Sequence, residues 1–348
     1  MSDLIPGGLT GRAAEAAAIR RALARSRLVT ATGLPGVGKT ATAITAAMGV
    51  NGSFPDGVAL IRLDTLQDEA LLPHTIAAAM LLPDTFGASP LTALTDQLQD
   101  KRMLLVLDTC EHLLGACAAT ASAIIEQCPG IRVLATSREP LRVPGEDTMA
   151  IAPLPVRDAV RLLGQRDGQH RREDQHTRQP VTARAVCERL DGLPLALGMA
   201  ARQLAIGSLD ALLIALDGGY EFLSDPNATV ARHRTLNAAI GWSHQLCTPA
   251  ERLLWARLAV FDAAFSVKDC LEVCATTHLS DDTIIVGVAM LAERSLLLRE
   301  AGEPPRYVMP RVIRAYGLSM LRRLAEDEQM QRRYRRWRSG PRRDEVWS

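Results

Sequence analysis

Residues 33–40 read GLPGVGKT; they follow the apolar run LVTAT at residues 28–32 and lead into a helical stretch near residues 38–48. The run matches the GxxxxGK[ST] P-loop, and a preceding strand with a following helix is the context that this motif requires. Its glycines let backbone N–H groups approach phosphate oxygens, and the helix N-terminus adds its positive dipole. The pattern predicts a phosphate site in which Lys39 supplies a compact charge and Thr40 offers a hydroxyl to Mg²⁺.

The first half of the chain continues in the same style, with short apolar runs alternating with helical stretches. We predict strands at Leu28–Thr32, Val58–Leu63, Met103–Leu107, Ile131–Thr136 and Thr148–Ile151, and helices near residues 38–48, 70–81, 90–100 and 112–127. This alternation is typical of βαβ units. The fold class is therefore α/β, with a parallel-sheet P-loop NTPase domain at residues 1–155.

The rest of the chain reads as mainly helical. After a helical stretch at Asp158–Leu163, the polar run Gly164–Gln179 predicts a loop. Thr248 to Glu251 reads as a capping box, and Ser266 and Ser280 are further helix caps. Two short strands, at Ser295–Glu300 and Arg306–Met309, then predict a hairpin, and three helices before a hairpin describe a winged helix. We predict a helical domain at residues 156–225, a winged-helix domain at 226–325 and an arginine-rich tail at 326–348.

A second half of the phosphate site is predicted at Asp108, which ends a buried strand that we expect to neighbour the P-loop strand. Asp108 would hold Mg²⁺ through water. The next residue, Thr109, stands where related ATPases often carry an acid. Glu111 is the nearest carboxylate, and it is either the residue that orients the attacking water or a first-turn glutamate favoured by the helix dipole. Arg138, at the tip of a central strand, is a candidate γ-phosphate sensor.

Composition excludes several classes of function. Hydrophobic residues make up 47%, charged residues 23%, and the net charge is +1, which is ordinary for a globular chain and gives no overall field for nucleic acid or membrane. The N-terminal sequence has no secretory pattern, and the seven scattered cysteines indicate a reduced, cytoplasmic protein. The spacing of the seven histidines does not suit a metal site. No GxSxG signature of a hydrolase triad occurs in the sequence.

The ordered motifs resemble the NB-ARC group of signal-transduction ATPases (STAND), and most closely the ATPase modules of actinobacterial antibiotic regulators and large LuxR-type regulators. The resemblance covers roughly residues 4–325 and rests on these stretches: Thr10-Gly11-Arg12, the P-loop, LLVLDTCEHLL at 104–114, LATSREPL at 134–141, GLPLAL at 192–197, RHRTL at 232–236, Trp242-Ser243, PAER at 249–252, and Leu291–Leu298. It implies a switch driven by ATP and ADP rather than a metabolic enzyme, used in transcriptional or signalling control. Because Thr109 cannot accept a proton from water at neutral pH, we also expect slow, Mg²⁺-dependent hydrolysis of ATP.

Several site residues follow from the resemblance alone. Arg12 would lie near the base and Pro194 would line the nucleotide pocket. Where eukaryotic members carry a Met-His-Asp motif whose histidine senses ADP, this chain has Met309-Pro310-Arg311 and no histidine, and Arg311 is a candidate phosphate contact instead. The predicted nucleotide contacts are Arg12, Gly33, Gly36, Val37, Gly38, Lys39, Thr40, Ala41 and Pro194, and the predicted catalytic residues are Lys39, Asp108, Glu111 and Arg138.

Two other functions stay open: an AAA+-like initiator or DNA-remodelling ATPase, and a nucleotide-binding adaptor without turnover. The helix predicted at Asp281–Glu293 carries acids and no Arg, Lys, Asn or Gln, which favours docking of a protein partner or self-association over reading DNA. The tail holds seven arginines in residues 332–343, with Tyr334 and Trp337 among them. We expect a solvated or frayed extension there rather than a nucleic-acid contact. Relatives generally carry a DNA-binding output domain and a helical-repeat sensor, and neither pattern occurs here.

Overall fold

The computed structural model describes residues 10–83, 89–165, 179–228 and 230–339. The chain divides into two compact units. The first consists of Met1–Arg166 together with Leu193–Leu195, and the second consists of Asp167–Gly192 together with Ala196–Ser348. The three residues 193–195 therefore belong to the first unit, although they lie far along the chain.

A five-stranded parallel sheet forms the centre of the first unit. Its strands are β1 (Leu28–Thr32), β2 (Val58–Arg62), β3 (Leu104–Asp108), β4 (Arg132–Thr136) and β5 (Glu146–Ala150). The order across the sheet is β2-β3-β4-β1-β5, and every residue of β1 and β3 is buried, as expected for central parallel strands. The predicted α/β fold with a parallel sheet is confirmed.

The first unit also contains helices. They are α1 (Ala13–Arg25), α2 (Lys39–Met48), α3 (Leu72–Ala79), α4 (Pro90–Leu98), α5 (Leu114–Gln127) and α6 (Val156–Gln165). The sequence analysis did not predict α1. Its buried side chains are Ala16, Ile19, Ala22 and Leu23, and a face made half of alanine gives only a weak hydrophobic period.

Where the structure describes the second unit, it consists of helices and one small hairpin. The helices are α7 (Pro180–Arg189), α8 (Pro194–Leu204, whose first two residues belong to the first unit), α9 (Leu209–Gly218), α10 (Leu236–Gln245), α11 (Pro249–Leu258), α12 (Val267–Cys274), α13 (Asp281–Glu293), α14 (Arg311–Arg323) and α15 (Asp327–Ser339). The predicted caps are present: Thr248 and Glu251 form a capping box, Ser266 forms another, and Ser280 caps α13.

A short antiparallel hairpin follows α13. It pairs β6 (Leu298–Arg299) with β7 (Tyr307–Val308), and Phe265 forms an additional bridge to Tyr307. The predicted order of three helices and a hairpin is therefore present. The strands are shorter than the sequence indicated.

The expectation of a solvated or frayed tail is wrong for residues 327–339, which form α15. Met330 and Tyr334 are buried, and the Tyr334 ring stacks on Trp337 with ring centroids 5.5 Å apart. Phe261 contacts both rings, at 5.3 and 5.4 Å. This apolar side is difficult to recognise in the sequence because its three residues, at positions 330, 334 and 337, are separated by arginines. Residues 340–348 lie outside the described part of the chain, as does most of the predicted loop Gly164–Gln179.

Candidate nucleotide-binding site

The predicted P-loop connects the end of β1 to the start of α2, at the carboxyl edge of the sheet. Gly36 and Gly38 have φ angles of 73° and 95°, a region that strongly favours glycine. A Cβ atom on Gly36 would lie 2.8 Å from the Cβ of Leu195, so this position also has no room for a side chain. The loop therefore has the bare backbone that a phosphate cradle needs, and the N-terminus of α2 begins at Lys39.

Lys39 lies over this loop. Its Nζ donates hydrogen bonds to the carbonyl oxygens of Gly33, at 2.7 Å, and Leu34, at 3.0 Å. The ammonium group is thus held within the concave loop, where the sequence analysis expects it to meet phosphate oxygens. Its interactions are not limited to these two carbonyls.

Thr40, Asp108 and Thr136 meet at the same edge. The hydroxyls of Thr40 and Thr136 both donate to Oδ1 of Asp108, at 2.6 and 2.7 Å. The expectation that the Asp108 strand neighbours the P-loop strand is wrong, because β4 lies between β1 and β3. The two groups still meet because the carboxyl ends of all three strands lie on one edge, with Thr136 of β4 between them.

These groups suit a divalent cation such as Mg²⁺. Hydroxyl and carboxylate oxygens are the ligands that Mg²⁺ prefers, and it commonly takes one or two protein ligands and fills its other positions with water and phosphate oxygens. Asp108 is buried, at 6% relative exposure, and its carboxylate is oriented by two hydroxyls. The residues present therefore fit the group that the sequence predicts.

Glu111 and Arg138 form a buried ion pair beside this cluster. The Arg138 Nε lies 3.1 Å from the Glu111 Oε1, and the two side chains are only 7% and 8% exposed. The reading of Glu111 as a first-turn glutamate is wrong, because α5 begins at Leu114 and Glu111 lies in the turn before it. Two predicted site residues from different strand ends are thus brought into direct contact.

Thr109 adopts an unusual backbone conformation. Its φ angle is 72°, which is rare for a β-branched residue, and its N–H donates to the Thr136 hydroxyl at 2.9 Å. The Thr109 side chain therefore points in a different direction from that of a residue in an extended strand. Strain of this kind is typical of functional sites.

Two residues carried over from the family resemblance also lie at the P-loop. Arg12 is buried, and its Nη2 donates to the carbonyl of Val37 at 2.8 Å while its Nη1 pairs with Glu15 at 2.7 Å. Pro194 lies beside Gly38, with its Cγ 3.7 Å from where a Cβ on that glycine would stand. Both positions agree with a nucleotide pocket, although contact with a base stays a prediction.

Arg311 is the first residue of α14 in the second unit, and its phosphate contact also stays a prediction.

Two functional positions escaped the sequence analysis. Thr136 was assigned no role in the site, but its hydroxyl donates to Asp108 and accepts from the N–H of Thr109. Leu195 donates its N–H to the Gly36 carbonyl at 3.1 Å and so contacts the P-loop, although the two residues lie far apart in the sequence. A threonine ending a buried strand was the available signal for the first. For the second, the available signal was the GLPLAL run at 192–197, in which the adjacent Pro194 was expected to line the nucleotide pocket.

Cysteine chemistry does not contribute to this site. Hydrogen bonding to Cys117, burial and nearby carboxylates raise the pKa of the Cys110 thiol well above its usual value, so the thiol stays neutral at physiological pH. Within the described ranges, no group of three or more His, Cys, Asp or Glu side chains could hold a metal ion by itself. No helix in those ranges is both long and apolar enough to span a bilayer.

The five-stranded parallel sheet, with the P-loop at its carboxyl edge, is a P-loop ATPase fold. No protein-family model matches the chain. Among solved structures, it is similar to the Aeropyrum pernix ORC2 protein in ADPNP-ADP complexes, with a TM-score of 0.54, 14% identity, and coverage of 93% of this chain and 98% of that one. At this identity the likeness concerns the fold alone.

Curated relatives come from mycobacteria. The "Putative HTH-type transcriptional regulator Rv0890c" of Mycobacterium tuberculosis is 36% identical over 311 residues, which cover 87% of this chain and 35% of that protein. The chain thus spans about a third of the length of this relative. The "Uncharacterized protein Rv0894" of the same organism is 32% identical over 331 residues, covering 94% of this chain and 84% of that protein. The chain therefore belongs to the same family as Rv0894.

Proposed function

We propose that this chain is a nucleotide-operated switch of the STAND class, which binds ATP and ADP with Mg²⁺ and acts in bacterial transcriptional or signalling control. The observation that carries the proposal is the cluster at the carboxyl edge of the sheet, where Thr40 bonds Asp108 at 2.6 Å beside the P-loop lysine. The name of one relative, an HTH-type transcriptional regulator, supports the regulatory part.

The roles of the residues follow from their positions. Backbone N–H groups of Gly33 and of residues 36–41 would surround the phosphates, and Lys39 would leave its carbonyl partners for the terminal phosphate oxygens. Thr40 and Asp108 would hold Mg²⁺, which when bound neutralises charge on the phosphates. Arg138 would contact the γ-phosphate, Arg12 would lie near the base, and Pro194 would line the nucleotide pocket.

Hydrolysis in this site should be slow. The residue after Asp108 is Thr109, whose hydroxyl cannot accept a proton from water at neutral pH. The nearest carboxylate, Glu111, is engaged by Arg138 at 3.1 Å. A base held in an ion pair is a poor proton acceptor until the pair rearranges. We therefore propose turnover far below the median enzyme rate of about 10 per second, as suits a switch whose ATP state must persist.

The direct test is steady-state ATP hydrolysis by Glu111→Gln, which keeps an oxygen acceptor for Arg138 and removes the base. If Glu111 orients or deprotonates the water, we expect the rate to fall at least tenfold with nucleotide affinity unchanged. Glu139→Gln is the matched control, since Glu139 is also a buried glutamate at this edge and pairs with Arg142 at 3.5 Å.

Other outcomes separate the alternatives. Fast turnover by the unmodified chain would contradict the switch. Nucleotide binding with no hydrolysis in any condition would identify an adaptor without turnover. Equal, modest losses in both glutamine variants would assign Glu111 a structural role.

We interpret α11 to β7 as a winged-helix domain that docks a protein partner. Its third helix, α13, exposes Ile285 and Val286, at 46% and 61%, with Asp281, Asp282 and Glu293 at its ends. Acids repel phosphates, so this face suits a protein better than DNA. An initiator ATPase, the rival function, would instead raise its hydrolysis rate when duplex DNA is added.

A further inference from the structure

The arginines of helix α15 form two sets, which differ in their contacts with the rest of the second unit. Arg333 donates to the Glu272 carbonyl at 3.3 Å, and Arg338 pairs with the Asp262 carboxylate at 3.0 Å. These two arginines therefore help to fix the helix to the rest of the second unit. The other set is exposed and consists of Arg332, Arg335 and Arg336. At 3.6 residues per turn, these three lie within about 100° of one another around the helix.

The opposite side of α15 is tightly anchored. Met330 is 1% exposed, and the rings of Tyr334 and Trp337 pack on Phe261. The Tyr334 hydroxyl donates to the Asp262 carboxylate at 2.6 Å. The exposed arginines are thus presented by an ordered helix, and a ligand would not have to order that helix in order to bind them.

Beyond the first turn of α15, the charged residues on the exposed side are all arginines. The acids of α15 are confined to its first turn, at Asp327 and Glu328, and residues 329–339 contain none. Arg332 lies 4.0 Å from Glu328, with both side chains more than 70% exposed, so this pair is weak. Among the residues that the structure describes, neither Arg335 nor Arg336 forms an ion pair.

We propose that this face of α15, formed by Arg332, Arg335 and Arg336, binds the phosphate backbone of duplex DNA without reading its sequence. Guanidinium groups match phosphate geometry with paired hydrogen bonds, and contacts to the backbone carry no sequence information. This site is separate from the P-loop and does not depend on the proposed switch.

Two features of the helix favour duplex DNA over other anionic surfaces. Binding of single strands relies on aromatic side chains that stack with bases, and Tyr334 and Trp337 are packed on Phe261 instead. A helix that lies on a membrane inserts its apolar side, and the apolar side of α15 is buried within the second unit.

The test compares two matched double variants of the full chain. Arg335→Gln/Arg336→Gln removes two charges from the proposed face, and Arg322→Gln/Arg323→Gln removes two exposed arginines from the end of α14. The probe is a short fluorescent DNA duplex in two unrelated sequences, titrated by anisotropy between about 50 and 200 mM salt. Thermal unfolding and ADP affinity are measured on the same samples.

We expect the unmodified chain to bind both duplexes alike, with affinity that falls steeply as salt rises. The Arg335→Gln/Arg336→Gln variant should lower the slope of log affinity against log salt by about 2 and keep its melting temperature and ADP affinity. The α14 variant should bind almost as the unmodified chain does. Absence of duplex binding, equal loss in both variants, tighter binding of single strands, or equal binding of polyglutamate or phosphatidylserine vesicles would overturn the proposal.

Discussion

Buried charges have different surroundings in the two units of this chain. In the second unit, Arg257 is 3% exposed and donates to both oxygens of Glu326, at 2.8 and 3.0 Å, and to Cys274 and Thr276, at 3.0 and 2.7 Å. In the first unit, charged groups gather at one edge of the sheet, around a loop with bare backbone and a residue in a rare conformation.

In the second unit the buried charge belongs to a network that connects helices, whereas in the first unit the charged groups surround a loop with bare backbone. Arg257 connects α11 to the residues before α15, and its partners are distributed through the second unit. The Lys39 ammonium, by contrast, donates to the Gly33 and Leu34 carbonyls of the P-loop, and the strained residue Thr109 lies next to Asp108. We therefore expect substitutions of buried residues in the second unit to lower the free energy of unfolding. Substitutions at the carboxyl edge of the sheet should affect ligand binding more than folding.

The largest expected effect concerns the anchor of α15. Tyr334→Ala removes a buried ring and its bond to Asp262, so the free energy of unfolding should fall by about 3–4 kcal/mol. The adjacent Arg335→Ala removes an exposed side chain and should change it by less than about 0.5 kcal/mol. Chemical denaturation measures both. Equal small effects would restore the picture of a frayed tail.

Asp191 provides a sharper case within the second unit. Its carboxylate accepts the N–H of Val312 at 2.8 Å and so caps α14, yet burial raises its pKa to about 6, against the opposing effect of that bond and of Arg311. Since the folded pKa is raised from 3.8, this group's contribution to stability is complete below that pH and is lost as pH rises through 6.

Asp191→Asn keeps an acceptor and removes the titration. We expect it to raise the free energy of unfolding at pH 7.5 by about 2 kcal/mol relative to the unmodified chain, and to leave it nearly equal at pH 4. Urea denaturation across this range measures the difference. A variant that is less stable at every pH would show that the charged carboxylate is needed by α14.

The smallest expected effect is at the sheet edge. Thr109→Asn places a residue that tolerates a positive φ where threonine is strained, so unfolding should cost about 1 kcal/mol more. Thr148→Asn, at an exposed position of β5, is the control and should be neutral or destabilising because strands favour threonine. If Thr109→Asn destabilises the chain instead, the edge contributes to folding as the second unit does.

Predictability differed between the two regions for physical reasons. Strands β1 and β3 and the P-loop were predictable because buried parallel strands are continuous apolar runs and the loop motif is constrained by its backbone. The placement of Thr136 and the ion pair between Glu111 and Arg138 depend on strand order, which no local pattern carries. The anchor of α15 was hidden because its partner Phe261 lies far away in sequence.

The central claim is that the P-loop edge binds nucleotide, and calorimetric titration with ADP and ATP, with and without Mg²⁺, tests it most directly. Lys39→Ala should weaken both nucleotides at least tenfold, or about 1.4 kcal/mol, because it removes the compact charge over the loop. Lys268→Ala, the same substitution at an exposed position of α12, should leave both affinities unchanged. Unchanged affinity in Lys39→Ala, or no binding by the unmodified chain, would contradict the account.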